Sequence, residues 1–487
     1  MASFSRTVLR NSAFGLVAQF ATKIASFAFN ILVIRQLGPE LFGQYSAVNA
    51  FGATFIFMAD LGLSIYAVRQ IATNRDLPGG AERNAQFNGN LLALRLVLSL
   101  VASAIMLIFA TLTGRPTTML IGLGLVAVSW VLYAFQGSYA AMLSGFERLD
   151  VSSRAQIIYQ LLFVGLGVVV VLVLGLGYVA LIVANVISIT LLTWLCWRGI
   201  RGLDIKIGRP NPAQWPGIIR ACIPFGIVTL SLGLSYKFDS VLLNLTRSDA
   251  ETGYYGAAYN LVFSALVFSN VLNTSLFPSL TRHAVTSPSE LPRIYERAMR
   301  YLLMVSIPIA VAVWALSEQL VPFLFKAQFA PAVDALRILI WVVPFMYLSE
   351  FLGYVVLISG NEKKVARSIG ISTVLNISFN LFLVPRFGYV IAAAMTVFTE
   401  MVLVGQYAYI LRKLLSQMNW GNALLRPLLA AVLMGGTLLL VRSMVPWFVS
   451  AALGTVIYVA LLLLLGVVGK DELRFVQSLR KKEAPAV

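Results

Sequence analysis

The chain has 487 residues, of which 59% are hydrophobic and 12% charged. A soluble domain is about 45–50% apolar and about 25% charged, so no water-soluble fold hides this much oil. Lys and Arg number 37 against 20 Asp and Glu, a net charge of +17, but the cations fall mostly in short gaps between apolar runs; that pattern speaks for membrane topology and anionic headgroups rather than nucleic acid.

A spanning helix needs about 20 mostly apolar residues, and the sequence predicts about fourteen of them, an all-α integral membrane protein. The first six, at 11–37, 43–69, 88–113, 117–144, 155–174 and 178–198, make an N-terminal lobe over residues 1–200. Arg6 and Arg10 precede the first run, which is too long for a signal-peptide core and lacks a small-residue cleavage site. Residues 201–217, with Pro210, Pro212, Trp215 and Pro216, read as a cytoplasmic amphipathic linker along the headgroups. Spans at 218–246, 253–278, 299–317, 333–359, 366–384 and 389–411 make a C-terminal lobe over 218–415. Helices 13 and 14, at 424–442 and 446–469, fill residues 416–469, and 470–487 is a basic tail. Leu473, Phe475, Val476 and Leu479 alternate there with cations, which suits an amphipathic segment on the inner leaflet.

Orientation follows from the cations. With a cytoplasmic N-terminus, the outer side carries Arg35, Arg115, Arg247, Lys326, Arg386 and Arg442, while Lys23, Arg95, Lys237 and Arg337 stand inside spans. The remaining basic residues lie on the cytoplasmic side, which therefore holds both termini. The lobes are also related to one another. Gly43-Gln44-Tyr45-Ser46-Ala47 pairs with Gly253-Tyr254-Tyr255-Gly256-Ala257. Gly177-Tyr178-Val179 pairs with Gly388-Tyr389-Val390, and Ser144-Gly145-Phe146-Glu147-Arg148 with Ser359-Gly360-Asn361-Glu362-Lys363. All three recur at a spacing of about 210 residues; six spans per unit make the repeat parallel, an arrangement of alternating-access carriers.

Arg35-Gln36-Leu37-Gly38-Pro39-Glu40-Leu41-Phe42-Gly43-Gln44-Tyr45 resembles the first interhelical turn of the polysaccharide transporters, the Wzx-type O-antigen and oligosaccharide-lipid flippases. So do Asp60-Leu61-Gly62-Leu63, Tyr236-Lys237-Phe238-Asp239, Thr252-Gly253-Tyr254-Tyr255 and Phe277-Pro278-Ser279-Leu280. These patterns mark the wider superfamily of multidrug/oligosaccharidyl-lipid/polysaccharide exporters. The resemblance implies a flippase that carries a polyprenyl-diphosphate-linked glycan from the cytoplasmic to the outer leaflet of a prokaryotic inner membrane for cell-surface polysaccharide biosynthesis. It also implies membrane lipids and polymerase and chain-length machinery as partners, and no nucleic acid.

Charges inside a membrane cost at least about 2.5–3.5 kcal/mol each near a helix centre and face a cavity or a partner. Lys23, Arg95, Lys237 and Glu350 are the candidate substrate-binding residues; Asp60, Asp239 and Glu400 are candidates for ion coupling or structural pairing. Lys23 suits the diphosphate or sugar acids of the cargo, or an ion pair with Asp60. Arg95 suits bidentate phosphate recognition, or snorkelling to the cytoplasmic surface. Lys237 and Asp239 fall on nearly opposite helix faces, so one meets a cavity and the other a neighbouring helix, in a span that Pro224 bends. Glu350 shares a stripe with Tyr347 and Tyr354, which fits a sugar or a plain helix interface. Tyr254, Tyr255 and Tyr259 fit an interfacial aromatic belt or a sugar platform.

No cofactor or metal is expected. Cys196 and Cys222 lie too far apart for a metal or redox motif, and His283 stands alone in a polar gap. Coupling to an H+ or Na+ gradient through the buried acids is the expected energy source. The alternatives are a cation-coupled multidrug antiporter, a lipid II flippase of the same superfamily, and a membrane-embedded polymerase or glycosyltransferase. The enzyme alternative lacks a sizeable outer loop, and no Walker A pattern occurs.

Overall fold

In the computed structural model the backbone is described for residues 2–267, 269, 280 and 291–467, and the side chains for all of these except 2–21, 228, 232 and 235. The described residues form helices and their connections, with no strand among them. Among the described residues ten helices are long and apolar enough to cross a membrane. The expected motif Phe277–Ser279, His283 and the tail 470–487 lie outside the described residues.

The first element, α1 (Ala2–Asp60), is two helices meeting at Gly38, whose φ of 74° and ψ of 173° break the helix just before Pro39. This is where the sequence places the turn between spans 1 and 2. Next come α2 (Leu63–Arg75), α3 (Gly80–Leu112), α4 (Thr117–Gly145), α5 (Leu149–Val168) and α6 (Tyr178–Gly202). After these, α7 (Trp215–Thr246) runs helically through Pro224, and α8 spans Asp249–Ser264. The chain continues with α9 (Leu291–Phe325), α10 (Ala332–Leu339) and α11 (Val342–Ile358). A second broken helix, α12 (Glu362–Ile410), turns at Gly388, where the sequence separates spans 11 and 12. Last are α13 (Arg426–Val441) and α14 (Trp447–Leu464).

These elements form two compact units, one of residues 1–256 with 373–392 and the other of 257–372 with 393–487. Two apolar cores hold the first unit. Leu63, Ile71, Leu91, Met142, Ile189 and Cys196 pack one, and Val48, Phe51, Met106, Leu123 and Ile182 the other. Both cysteines are free and buried, as small apolar residues would be. In the second unit α9 packs against α13 and α14 through Leu303, Ile307, Val311, Met434, Leu438 and Tyr458. Outward-facing Leu112, Val173, Leu440 and Leu464 are more than 70% exposed. A surface this apolar faces hydrocarbon, since water would drive it inward.

The repeated Gly-x-Tyr motifs of the sequence meet in space. Gly43 on α1 lies against the backbone carbonyl of Asp249, and Gly253 on α8 lies against that of Pro39. A Cβ at either would overlap the other helix's backbone, so glycine is what allows this crossing. Gln44 Nε2 donates to Asp249 Oδ2 at 2.9 Å, and Asn244 Nδ2 donates to Asp249 Oδ1 at 2.7 Å. Arg115 in turn donates to the Asn244 carbonyl and Oδ1 at 2.7 and 2.9 Å.

The connection from α6 to α7 is strapped to α3. Asn90, fully buried, donates to Gln214 Oε1 at 2.8 Å and accepts from the Asn211 N–H at 2.5 Å and the Trp215 indole at 3.3 Å. Asn88 donates to the Lys206 carbonyl at 3.0 Å, and the Gly208 N–H donates to the Ala85 carbonyl at 2.7 Å.

The glycine crossing gives a direct test. Gly43→Ala is expected to lower the thermal midpoint of the detergent-purified protein by the equivalent of about 1–3 kcal/mol, the usual cost of overpacking. Gly124→Ala, where nothing lies within 4 Å of the added Cβ, should be neutral or slightly stabilising. Equal melting of the two variants would refute the close crossing.

Candidate functional site

In the first unit two of the membrane charges, Asp60 and Arg95, meet where α1 ends and α2 begins. Leu61 and Gly62 take φ values of 44° and 81°, and this break leaves Asp60 on the last turn of α1 and Ser64 on the first turn of α2. Gly62 and Gly226 bring this break directly against the α7 backbone. Arg95 reaches across from α3. Its Nη2 donates to Asp60 Oδ1 at 2.5 Å and to Ser64 Oγ at 2.8 Å, while Ser64 Oγ donates to the same carboxylate oxygen at 2.6 Å. The Arg95 side chain is 4% exposed and that of Asp60 26%, so the pair opens on its acidic side. Gly137 on α4 makes the room: a Cβ there would stand 2.7 Å from Arg95 Nη1, an atom left without a hydrogen-bond partner.

This arrangement corrects two expectations. Asp60 pairs with Arg95 and not with Lys23, because Arg95 approaches from a neighbouring helix at the level of the break. Lys23 is exposed and forms no ion pair among the described residues. Arg95 does not snorkel, since a carboxylate within reach satisfies it more cheaply than stretching to the surface.

The second acid of this unit is fixed by other helices. Asp239 is 1% exposed; it accepts from Tyr255 Oη on α8 at 2.9 Å and from Asn380 Nδ2 on α12 at 2.7 Å. Asn380 Nδ2 also donates to Asn376 Oδ1 at 3.1 Å, whereas Asn380 Oδ1 is buried with no hydrogen bond. Lys237, two residues from Asp239, is half-buried. Tyr255 thus serves the acid, and Tyr254 packs on Tyr389 with ring centroids 5.8 Å apart.

In the second unit two carboxylates take serine hydroxyls. Ser269 Oγ donates to Glu350 Oε2 at 2.6 Å, and Ser349 Oγ donates to Glu400 Oε1. Tyr347 is fully buried and donates to the Ala265 carbonyl at 2.7 Å, which removes it from a sugar-stacking role beside Glu350. Tyr259 stacks on Phe263 with centroids 3.9 Å apart. No group of three His, Cys, Asp or Glu suited to a metal ion occurs among the described residues.

The sequence did not single out Ser64, Asn380, Asn376 or Gly137. Asn376 and Asn380 are spaced one helical turn apart within an apolar run, and that spacing was the available signal. The Asp60–Arg95 pair predicts non-additive mutations. Asp60→Ala and Arg95→Ala should each lower the melting temperature, and the double variant should be less damaged than the sum by about 0.5–3 kcal/mol. A thermal double-mutant cycle measures this, and strict additivity would mean that the pair carries no coupling.

The family model described as "Polysaccharide biosynthesis protein" matches residues 8–283, more than half of the chain, and a second, MatE, matches residues 224–382. The "Probable low-salt glycan biosynthesis flippase Agl15" of Haloferax volcanii is 21% identical over 443 residues, covering 88% of this chain and 92% of that protein. Among solved structures, the lipid II flippase MurJ in an inward closed conformation superposes with a TM-score of 0.76 at 12% identity, over 95% of this chain and 99% of its own. An inward-facing multidrug resistance MATE transporter of the MOP superfamily gives 0.62 at 15% identity, over 82% and 96%. A MOP superfamily transporter from Pyrococcus furiosus Vc1 (DSM3638), described as having a binding pocket of reverse polarity, gives 0.52 at 16%, over 82% and 93%. At these identities the structural likeness shows the fold alone, that of a multi-pass helical membrane protein. With the first of those family models spanning more than half of its length, the chain belongs to the polysaccharide biosynthesis protein family.

Proposed function

We propose that this protein is a flippase that carries a polyprenyl-diphosphate-linked oligosaccharide from the cytoplasmic to the outer leaflet by alternating access. The observation that carries the reading is its similarity along most of its length to a glycan biosynthesis flippase, within a polysaccharide biosynthesis family. The physical task is to move a large polar headgroup across about 30 Å of hydrocarbon while the polyprenyl tail stays in lipid. Lys23, exposed and without an ion pair among the described residues, offers a cation to the diphosphate. Arg95 keeps Nη1 uncommitted beside a partly open carboxylate, and can exchange Asp60 for a cargo phosphate. Lys237 and Glu350 complete the proposed substrate set.

Coupling to an H+ or Na+ gradient belongs to the same proposal. Asp239, buried among Tyr255 and Asn380 with an unused amide oxygen beside it, supplies oxygens that suit a small cation, and Asp60 and Glu400 are the other candidate acids. The proposal also places both termini in the cytoplasm of a prokaryotic inner membrane, and polysaccharide polymerase and chain-length machinery downstream.

Mass spectrometry of polyprenyl-linked glycans in cells with and without the protein tests the reading. A complete repeat unit should build up on its diphosphate lipid, shielded from externally added enzymes. Accumulation of lipid II would favour the peptidoglycan branch, and an unchanged lipid pool with new sensitivity to cationic dyes would favour a drug antiporter. Lys23→Ala should cut surface polysaccharide about tenfold or more at normal protein level, as loss of a charge-assisted contact worth about 1.5–3 kcal/mol implies. Wild-type output would remove Lys23 from the site. Transport in vesicles that ignores both pH and Na+ gradients would end the coupling proposal.

A further inference from the structure

The second unit contains a cavity of about 1110 Å3 away from Glu350 and Glu400. It opens where α9 begins, where α11 gives way to α12, and where α12 ends in the short helical turn Arg412–Leu415. Lys364, Arg367, Arg412 and Lys413 line it, and no carboxylate does. All four cations are exposed, and none is ion-paired among the described residues. Arg412 lies over the Tyr409 ring, 4.8 Å from its centroid, which holds the guanidinium at the opening. The nearest acids by sequence are otherwise placed: Glu296 accepts the Asn419 N–H at 3.0 Å, and Glu362 is exposed on the first turn of α12 without lining the cavity.

The inner wall has a different chemistry. Ile358, Ile371, Val402 and Leu414 are apolar, and Gln406 and Ser368 add a polar patch, with Gln406 Nε2 donating to Ser372 Oγ at 3.1 Å. Four like charges around one opening repel each other unless an anion sits among them. A soluble anion would find little use for the apolar wall. A lipid phosphate uses both, with its charge at the rim and the first carbons of its chain against the wall. The position at the ends of spanning helices is the depth at which headgroups lie, and basic pockets between such helices recognise them.

We infer that this cavity binds the phosphate of an anionic lipid. The phosphate contacts Lys364, Arg367, Arg412 and Lys413, and the adjoining chain lies on Ile371 and Val402. The site does not depend on what cargo the protein moves. The same chemistry is offered by a resident phospholipid and by a polyprenyl diphosphate, and the test separates them.

Full-length protein purified in a non-ionic detergent is titrated with phosphatidylglycerol, phosphatidylcholine or undecaprenyl diphosphate, and bound lipid is counted by native mass spectrometry. Phosphatidylglycerol or undecaprenyl diphosphate should be retained, and phosphatidylcholine should not. Lys364→Gln with Arg367→Gln, and Arg412→Gln with Lys413→Gln, should each weaken retention at least tenfold. Arg83→Gln, an exposed cation of the first unit, should leave it unchanged. Retention of phosphatidylglycerol identifies a resident phospholipid as the source, and retention of the polyprenyl lipid alone identifies a carrier lipid. If a double variant does not elute as folded protein, Lys413→Glu at its exposed helical turn gives the same readout. Equal retention by wild type and variants, or equal retention of phosphatidylcholine, overturns the inference.

Discussion

Hydrocarbon supplies no hydrogen bonds, so a chain that crosses it must pair every backbone polar group internally or break its helices only where something else answers. The break at Leu61–Gly62 is answered twice. Its backbone lies directly on α7 at Gly226, and the residues flanking it, Asp60 and Ser64, are gathered by one guanidinium. Arg95 is thus tied to the discontinuity itself. Moving the charge would require remaking the helix end, and remaking the helix end would strand the charge. The same logic places glycine at the α1–α8 crossing, where backbone meets backbone and no side chain fits between.

Much of this was legible beforehand, and for physical reasons. Spans are long apolar runs, and their period and length survive any rearrangement of neighbours. The Gly38 and Gly388 breaks fall where polar turn residues interrupt those runs. The paired motifs at Gly43 and Gly253 were visible as a repeat, although that they touch was not. Partner choice was hidden. The sequence offered Lys23 as the mate of Asp60, and only the crossing of α1 with α3 brings Arg95 to it instead. Tyr347 shared a helical stripe with Glu350, yet its hydroxyl goes to a backbone carbonyl. The basic cavity was invisible because its cations come from two segments, at 364–367 and 412–413, that meet only after α12 has turned at Gly388.

The two acids of the first unit also show how differently a membrane protein can keep a charge. Asp60 is partly open and faces a full cation. Asp239 is closed and accepts hydrogen bonds from neutral donors on α8 and α12. One unit therefore contains a carboxylate paired with a cation and another held by hydroxyl and amide donors.

The strap between α6 and α7 has a consequence for biogenesis. Residues 80–112 are synthesised well before residue 215, so the Asn90 amide completes these hydrogen bonds only once the connection has been made. Once Asn211, Gln214 and Trp215 arrive, a single amide captures the chain at three points. The start of the seventh helix is thereby held against α3 by a clasp that only the finished connection can close.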